Sequence, residues 1–229
     1  FDLDLIQKIE DSTIPYWFPT NRMPAGDESR RNDRMGITHV HHFYTKRSLW
    51  VLSCMYYVLQ NSIRSRQSLL ILTSFMVKTG SRLHNIGFKK GRLNLAGAMP
   101  NTLYMPSSIA ERNILDLFET KTEDILNVFS FRKTNRILVS CASSTHTNLI
   151  SNSGDYIFTD PPFGENIMYS ELSFIWEAWL KVFTNNEKEA IVNRTQNKGL
   201  EEYKALMTAC FKEMYRILKP NRWLTVVFH

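Results

Sequence analysis

Cysteine is scarce in this sequence. Of 229 residues three are cysteines, Cys54, Cys141 and Cys210, which lie far apart and include no C-x-x-C pair. An odd, dispersed set excludes a disulfide framework and a cysteine-rich zinc site, and it fits a reducing, cytoplasmic compartment. Long apolar runs are missing too: the longest, such as Ser68 to Val77, fall short of the roughly 18 residues that span a bilayer. No membrane segment or signal peptide is therefore expected. The nine glycines are thinly spread, and none makes a G-x-G after an apolar strand. Acidic residues vanish from one long stretch, with none between Asp33 and Glu111.

That last absence defines the charge pattern. The 77-residue window carries ten basic side chains (Arg34, Lys46, Arg47, Arg64, Arg66, Lys78, Arg82, Lys89, Lys90 and Arg92), so with an overall charge of +6 the remainder nets −4. Phe43, Trp50, Tyr57 and Phe88 are interleaved with them. Cations that meet phosphates and rings that stack on bases make this a candidate polyanion-binding region. A solvated basic face on ordinary helices explains the same charges. At 43% hydrophobic content the chain can bury a full core, as one large domain or two small ones. It begins at Phe1 and stops at His229 inside the apolar run "WLTVVFH", a pattern expected of ends cut from a longer protein.

Residues 1–40 read as an irregular lead-in, a short amphipathic stretch followed by the proline-rich "IPYWFPTNRMPAGDESRR". Residues 41–130 form a basic helical region. There "TKRSLWVLSCMYYVLQNSI" places Leu49, Leu52, Met55, Tyr56 and Leu59 at helical spacing, with Thr45 as N-cap. A second helical run extends from Ser65 to Gly80. "LNLAGAMPNTLYM" is expected to turn as a hairpin around Pro100-Asn101, and Ser107 or Ser108 to cap a further helix. Residues 131–229 alternate as an α/β unit, with "RILVSCAS", "DYIFTD" and "WLTVVFH" as strands and two helices between the last two. The first helix starts at Ser170 or Ser173. The second has Tyr203, Leu206, Met207, Cys210, Met214 and Ile217 on a 3.6-residue period and stops at Lys219-Pro220, with Asn221 suited to a left-handed position. Continuous apolar strands predict burial on both faces, in a parallel sheet between helices.

"DYIFTDPPFG", residues 155–164, drives an apolar strand into an acid, two prolines and an aromatic ring. Neither proline can donate to a sheet ladder, so the strand end is rigid, and ligands of open parallel sheets bind beyond such carboxyl ends. From average residue usage, an acid, two prolines and an aromatic in that order arise by chance in about one chain of this length in several hundred. "TDPPFG" resembles the D-P-P-[FY] motif of the S-adenosylmethionine-dependent amino-methyltransferases, especially adenine-specific DNA methylases. "THVHHFYTKRSLWVLS", "DYIFTDPPFGENIMYSELSFIWEAWLK" and "KGLEEYKALMTACFKEMYRILKPNRWLTVVFH" are together similar to a group of large bacterial and archaeal DNA methylases, over about half of this chain.

The resemblance implies an α/β fold, a partial Rossmann-like methyltransferase core of mainly parallel sheet flanked by helices, with a helical, basic N-terminal region. It implies S-adenosylmethionine as cofactor and DNA, or RNA, as partner. In it Asp160 and the Pro161 carbonyl hold an exocyclic amine, Pro162 fixes the turn, and Phe163 stacks on a flipped base. Thr45, Lys46 and Asp160 stand near the cofactor. Arg47, Lys89, Lys90, Arg92, Asn193 and Arg194 are candidates for nucleic-acid contact, with Lys198 in the same loop as the last two; these loop residues equally serve to solubilise it.

The residue types suit that chemistry. An exocyclic amine is a poor nucleophile because its lone pair is delocalised into the ring, and two acceptors on its hydrogens favour the geometry that exposes the pair. His39, His41 and His42 invite a metal reading, but no Cys, Asp or Glu lies beside them, so packed or solvated imidazoles and no metal are expected. One departure stands out: the family's glycine-rich cofactor turn is not recognisable here and is expected upstream of Phe1. Three other readings stay open. Cytosine amino-methylation shares the motif, and so does guanine amino-methylation in transfer RNA, where it is often followed by glycine; the third is a catalytically silent DNA-binding module of a restriction or phage-defence system.

Overall fold

The computed structural model describes residues 2–63, 68–69, 71–73, 77–89, 91–130 and 137–228. The chain is mixed α/β and divides into two compact units, one of residues 1–133 with 171–183, the other of residues 134–170 with 184–229.

In the N-terminal unit, α1 (Asp2–Asp11) and α2 (Asp27–Arg30) precede α3 (Lys46–Gln60). Thr45 caps α3 as its spacing predicts, its Oγ1 accepting from Ser48 N at 3.2 Å. Leu49, Leu52 and Tyr56 fall on the buried face, because residues three and four apart share one side of a helix. Burying each leucine contributes roughly 1.5–3 kcal/mol relative to exposure. They join one core with Phe43, Leu72, Leu103, Ile175 and Trp179. Trp179 Nε1 donates to the Tyr44 hydroxyl at 3.2 Å, which satisfies a polar atom inside that core. Of the second helical run, Val77–Thr79 is helical; the start at Ser65 lies outside the described residues.

Two expectations for this unit are corrected by backbone pairing. β1 (His84–Lys89) pairs antiparallel with β2 (Arg92–Ala98), and Lys89 stands opposite Arg92. Gly91 closes the connection at φ 74°, a left-handed value that glycine adopts without a Cβ penalty. The hairpin thus closes at Gly91, between Lys89 and Arg92, and not at Pro100-Asn101. Asn101 does bend the chain, at φ 56°, but after β2 has ended. Nor does Ser107 or Ser108 cap a helix: Ile86 N donates to Ser108 O at 3.3 Å and Ala110 N to His84 O at 2.9 Å, so this segment runs beside β1. The helix α4 (Ile114–Ser130) starts later, and Asn113 Oδ1 accepts from Leu115 N at 3.0 Å, taking over the capping role.

The C-terminal unit is built on β3 (Gly154–Thr159), α6 (Leu200–Ile217) and β4 (Leu218–Val226). Between β3 and α6, α5 (Tyr169–Leu180) begins one residue before Ser170 and carries the chain into the N-terminal unit. At the start of α6, Gly199 N donates to Glu202 Oε2 at 2.8 Å, and acids in its first turn with Arg216 in its last complement the helix dipole. β4 lies parallel to β3, with Tyr156 opposite Trp223 and Thr159 opposite Val226. A parallel pair of this kind needs the long crossover that the helices supply. β4 begins at once after α6, earlier than the expected Trp223. Pro220 and Asn221 therefore lie inside it, where Asn221 at φ 59° accompanies a register shift opposite Gly154 and Tyr156, the setting in which a strand tolerates proline.

Two further expectations fail. Residues 137–143 form no strand, and Leu138 and Val139 are 84% and 85% exposed. β-branched residues favour a strand only where a partner edge meets them. Nor are the strands buried on both faces. The parallel sheet has two strands among the described residues, and Tyr156, Phe158 and Trp223 are all more than half exposed.

Candidate functional site

The D-P-P-F-G segment continues straight from β3. Val227 N donates to Thr159 O at 2.9 Å, which carries the ladder to the motif's edge, and the prolines end it because they have no N–H to offer. Pro161 is buried and Asp160 exposed, so the acid projects from an anchored backbone. The Tyr203 hydroxyl of α6 donates to Pro162 O at 2.7 Å. Gly164 turns the chain at φ 60°, a conformation glycine holds at least cost, and its carbonyl accepts from Val192 N at 3.2 Å. Phe163 meets Phe228 edge to face, with centroids 6.1 Å apart, an arrangement aromatic pairs favour. The result is an outward carboxylate beside a fixed run of carbonyls and an aromatic ring.

Two tyrosines add to this corner that the sequence did not single out. Tyr203 reads as one more apolar-face residue of α6, and only the tertiary contact reveals its hydroxyl on the motif. Tyr169, at the first turn of α5, is 42% exposed. Burial first, then the charges of Asp160 and Glu189, hold its phenol above the ordinary range, so it stays neutral beside the acid. A ring six positions beyond Phe163 was the available signal.

The loop from 184 to 198 braces the same corner. Asn193 Oδ1 accepts from Thr195 N at 2.9 Å and Gln196 N at 3.2 Å. Lys198 Nζ donates to Glu189 O at 2.6 Å and also to Asn186 O. Both side chains are buried in these bonds, whereas Lys188 and Arg194 are exposed cations of the loop.

The other candidates lie in the N-terminal unit. The Thr45 hydroxyl donates to Glu111 Oε1 at 2.6 Å. Arg47 donates through Nε to the same oxygen at 3.2 Å and forms an ion pair with the other. These bonds, led by the one from Arg47, hold the Glu111 carboxyl below its usual range. Lys46 Nζ donates to the Glu10 carbonyl. The acid that ends the acid-free window thus folds back onto Arg47 in the first turn of α3. Lys89 closes β1 and Arg92 opens β2, with Arg92 exposed; Lys90 lies outside the described residues.

Comparison with known protein families, with curated proteins and with solved structures finds no match. The functional reading accordingly rests on the residues and their geometry. Among the described residues no helix is long and apolar enough to cross a membrane, and no group of three or more His, Cys, Asp or Glu side chains is placed to hold a metal ion.

Proposed function

We propose that this chain carries the amine-holding site of a nucleic-acid amino-methyltransferase, with an adenine of DNA as the target. The observation that carries the reading is the corner at Asp160–Gly164: an exposed carboxylate at the end of a parallel strand, on a backbone braced at Pro162 and Gly164. The Asp160 carboxylate and the Pro161 carbonyl would accept the two amine hydrogens, leaving the nitrogen lone pair directed outward. Phe163 and Tyr169 offer ring faces for a base taken out of the stack. Holding and orienting a weak nucleophile in this way supplies catalysis by position and electrostatics.

S-adenosylmethionine would supply the methyl group. The described residues do not form its cradle: Gly87 lies within β1, Gly97 within β2, and Gly91 in the hairpin connection. The chemistry assigned to this chain therefore ends at holding and orienting the amine. The test is transfer of labelled methyl from S-adenosylmethionine by the intact protein to DNA and to RNA, followed by digestion to nucleosides. N6-methyladenine in DNA is expected, with at least about a 100-fold loss in Asp160→Ala; product on neither nucleic acid defeats the reading, and methylguanine in RNA replaces the substrate.

The missing cradle and the charge asymmetry favour a second reading, a DNA-binding module without catalysis. Titration with S-adenosylmethionine separates the two, because micromolar binding excludes the silent module.

A further inference from the structure

The β1–β2 hairpin sorts its residues by face. From the register, Asn85, Gly87 and Lys89 share one face with Ala96, Asn94 and Arg92, while Ile86 and Phe88 share the other with Leu95 and Leu93, because alternate strand residues line one side of a sheet. An apolar face of this kind is the one a hairpin packs on its own protein. At the base of the hairpin Leu83 is buried and Ala98 packs against the core. The outer edge of β1 is taken by the backbone of Ser108 and Ala110. At the other end Arg92 is exposed, and nothing among the described residues lies within 4 Å of where a Cβ would stand on Gly91 or Gly97. The hairpin is thus held at its base and along one edge, with an open tip.

The polar face is a poor choice for a strand that meets only water. Asparagine and glycine are among the residues that strands accommodate worst, and a glycine inside a strand often marks a site where a ligand or another backbone comes close. Gly87 is paired directly with Asn94, so two such residues stand side by side. The hairpin carries Lys89, Lys90 and Arg92 and no carboxylate, and the nearest acid in the sequence is Glu111. Amide side chains among small residues, next to uncompensated positive charge, match a polyanion that also displays hydrogen-bonding edges. Duplex DNA has that chemistry: its major groove, roughly 12 Å wide and 8.5 Å deep, admits a two-stranded ribbon, and asparagine pairs bidentately with N6 and N7 of adenine.

We propose that the β1–β2 ribbon enters the major groove of duplex DNA, with Asn85 and Asn94 on adenine edges and Lys89 and Arg92 on flanking phosphates. The proposal rests on DNA as the partner in the function proposed above, and not on methyl transfer. Asn85 and Asn94 are diagonal neighbours across the register, so they stand roughly 7 Å apart and the two adenines are expected about two base-pair steps apart. The test starts by selecting, from a random pool, the duplexes that the intact protein binds. Replacing both adenines by 7-deazaadenine removes their N7 acceptors and should weaken binding at least about 5-fold, a readout that needs no variant and so survives one that fails to fold. Asn94→Ala should lose at least about 5-fold on the selected duplex and little on unrelated DNA, and it should no longer respond to one of the two replacements. RNA duplex of the same sequence should bind more weakly, because its major groove is too narrow for side chains to read. Selection that yields no preferred sequence, full affinity for the 7-deazaadenine duplex, or equal loss by a folded Asn94→Ala on every duplex overturns the proposal. Methyl transfer to DNA alongside any of these results leaves the amine-holding site standing, whereas N7-dependent binding without methyl transfer upholds the ribbon alone. Failure to bind any duplex overturns both the ribbon and the DNA partner.

Discussion

Tyr203 is where one hydroxyl separates a merely packed strand end from a braced one. Its 2.7 Å bond to Pro162 O fixes the peptide plane next to the carbonyl assigned to the amine. Removing the hydroxyl in Tyr203→Phe should cost about 1 kcal/mol of stability and lower kcat for methyl transfer by about 10-fold, an energetic equivalent of about 1.4 kcal/mol. KM for DNA should stay unchanged. A lower affinity with kcat preserved would show that Tyr203 supports binding and not the reacting geometry. None of this was legible in the sequence, where Asp160 to Phe163 stood out by composition but the residue that braces them looked like ordinary apolar spacing. Asn193 shows the reverse: its polarity suggested an outward contact, yet its side chain is spent on the backbone amides of its own loop.

At the scale of elements, α3 and α6 could be read from their apolar period because a helix satisfies its own backbone and needs only one face covered. Strands lack that independence, so the hairpin turn and the 137–143 segment were misplaced. Helix α5 joins its unit through a buried acid, Glu171, which accepts from Ser29 N of α2 at 2.9 Å. Burial first, with added repulsion from Glu28 and Asp27, raises its pKa above the ordinary 4.5. The folded state therefore keeps a proton that the unfolded chain has released. Stability is full below the ordinary carboxylate value and declines as pH rises toward the folded one. Glu171→Gln should remove that decline and raise Tm at pH 8, by about 2–4 °C for each kcal/mol recovered, with little change at pH 4. Thermal melts across that range decide it, and a variant less stable at pH 8 refutes the assignment. Gly26 faces this carboxylate so closely that an added Cβ would lie 1.9 Å from Glu171 Oε1.

For the whole molecule the governing fact is electrostatic. The basic window falls entirely within the N-terminal unit, but its cations are not equivalent. Arg47 is already compensated by Glu111, whereas Arg92 is exposed. Affinity for duplex DNA should fall linearly on a log–log plot against salt. Arg92→Ala should reduce the slope by about 0.9 if it releases one phosphate-bound counterion, while Arg47→Ala leaves it nearly unchanged. Equal effects of the two would mean that Glu111 gives up Arg47 when DNA binds.

Composition and period, read without coordinates, determined that the chain is a mixed α/β protein with a basic first half, a capped amphipathic helix after Thr45, and a rigid acid-proline-proline-aromatic corner after a strand. Those features are local, set by side-chain spacing, backbone restriction and charge count. Only the tertiary structure decided which strand edges found partners, which cations met acids, and that Tyr203 reaches the corner. Such pairings depend on residues distant in the chain arriving side by side, and no local pattern carries that information.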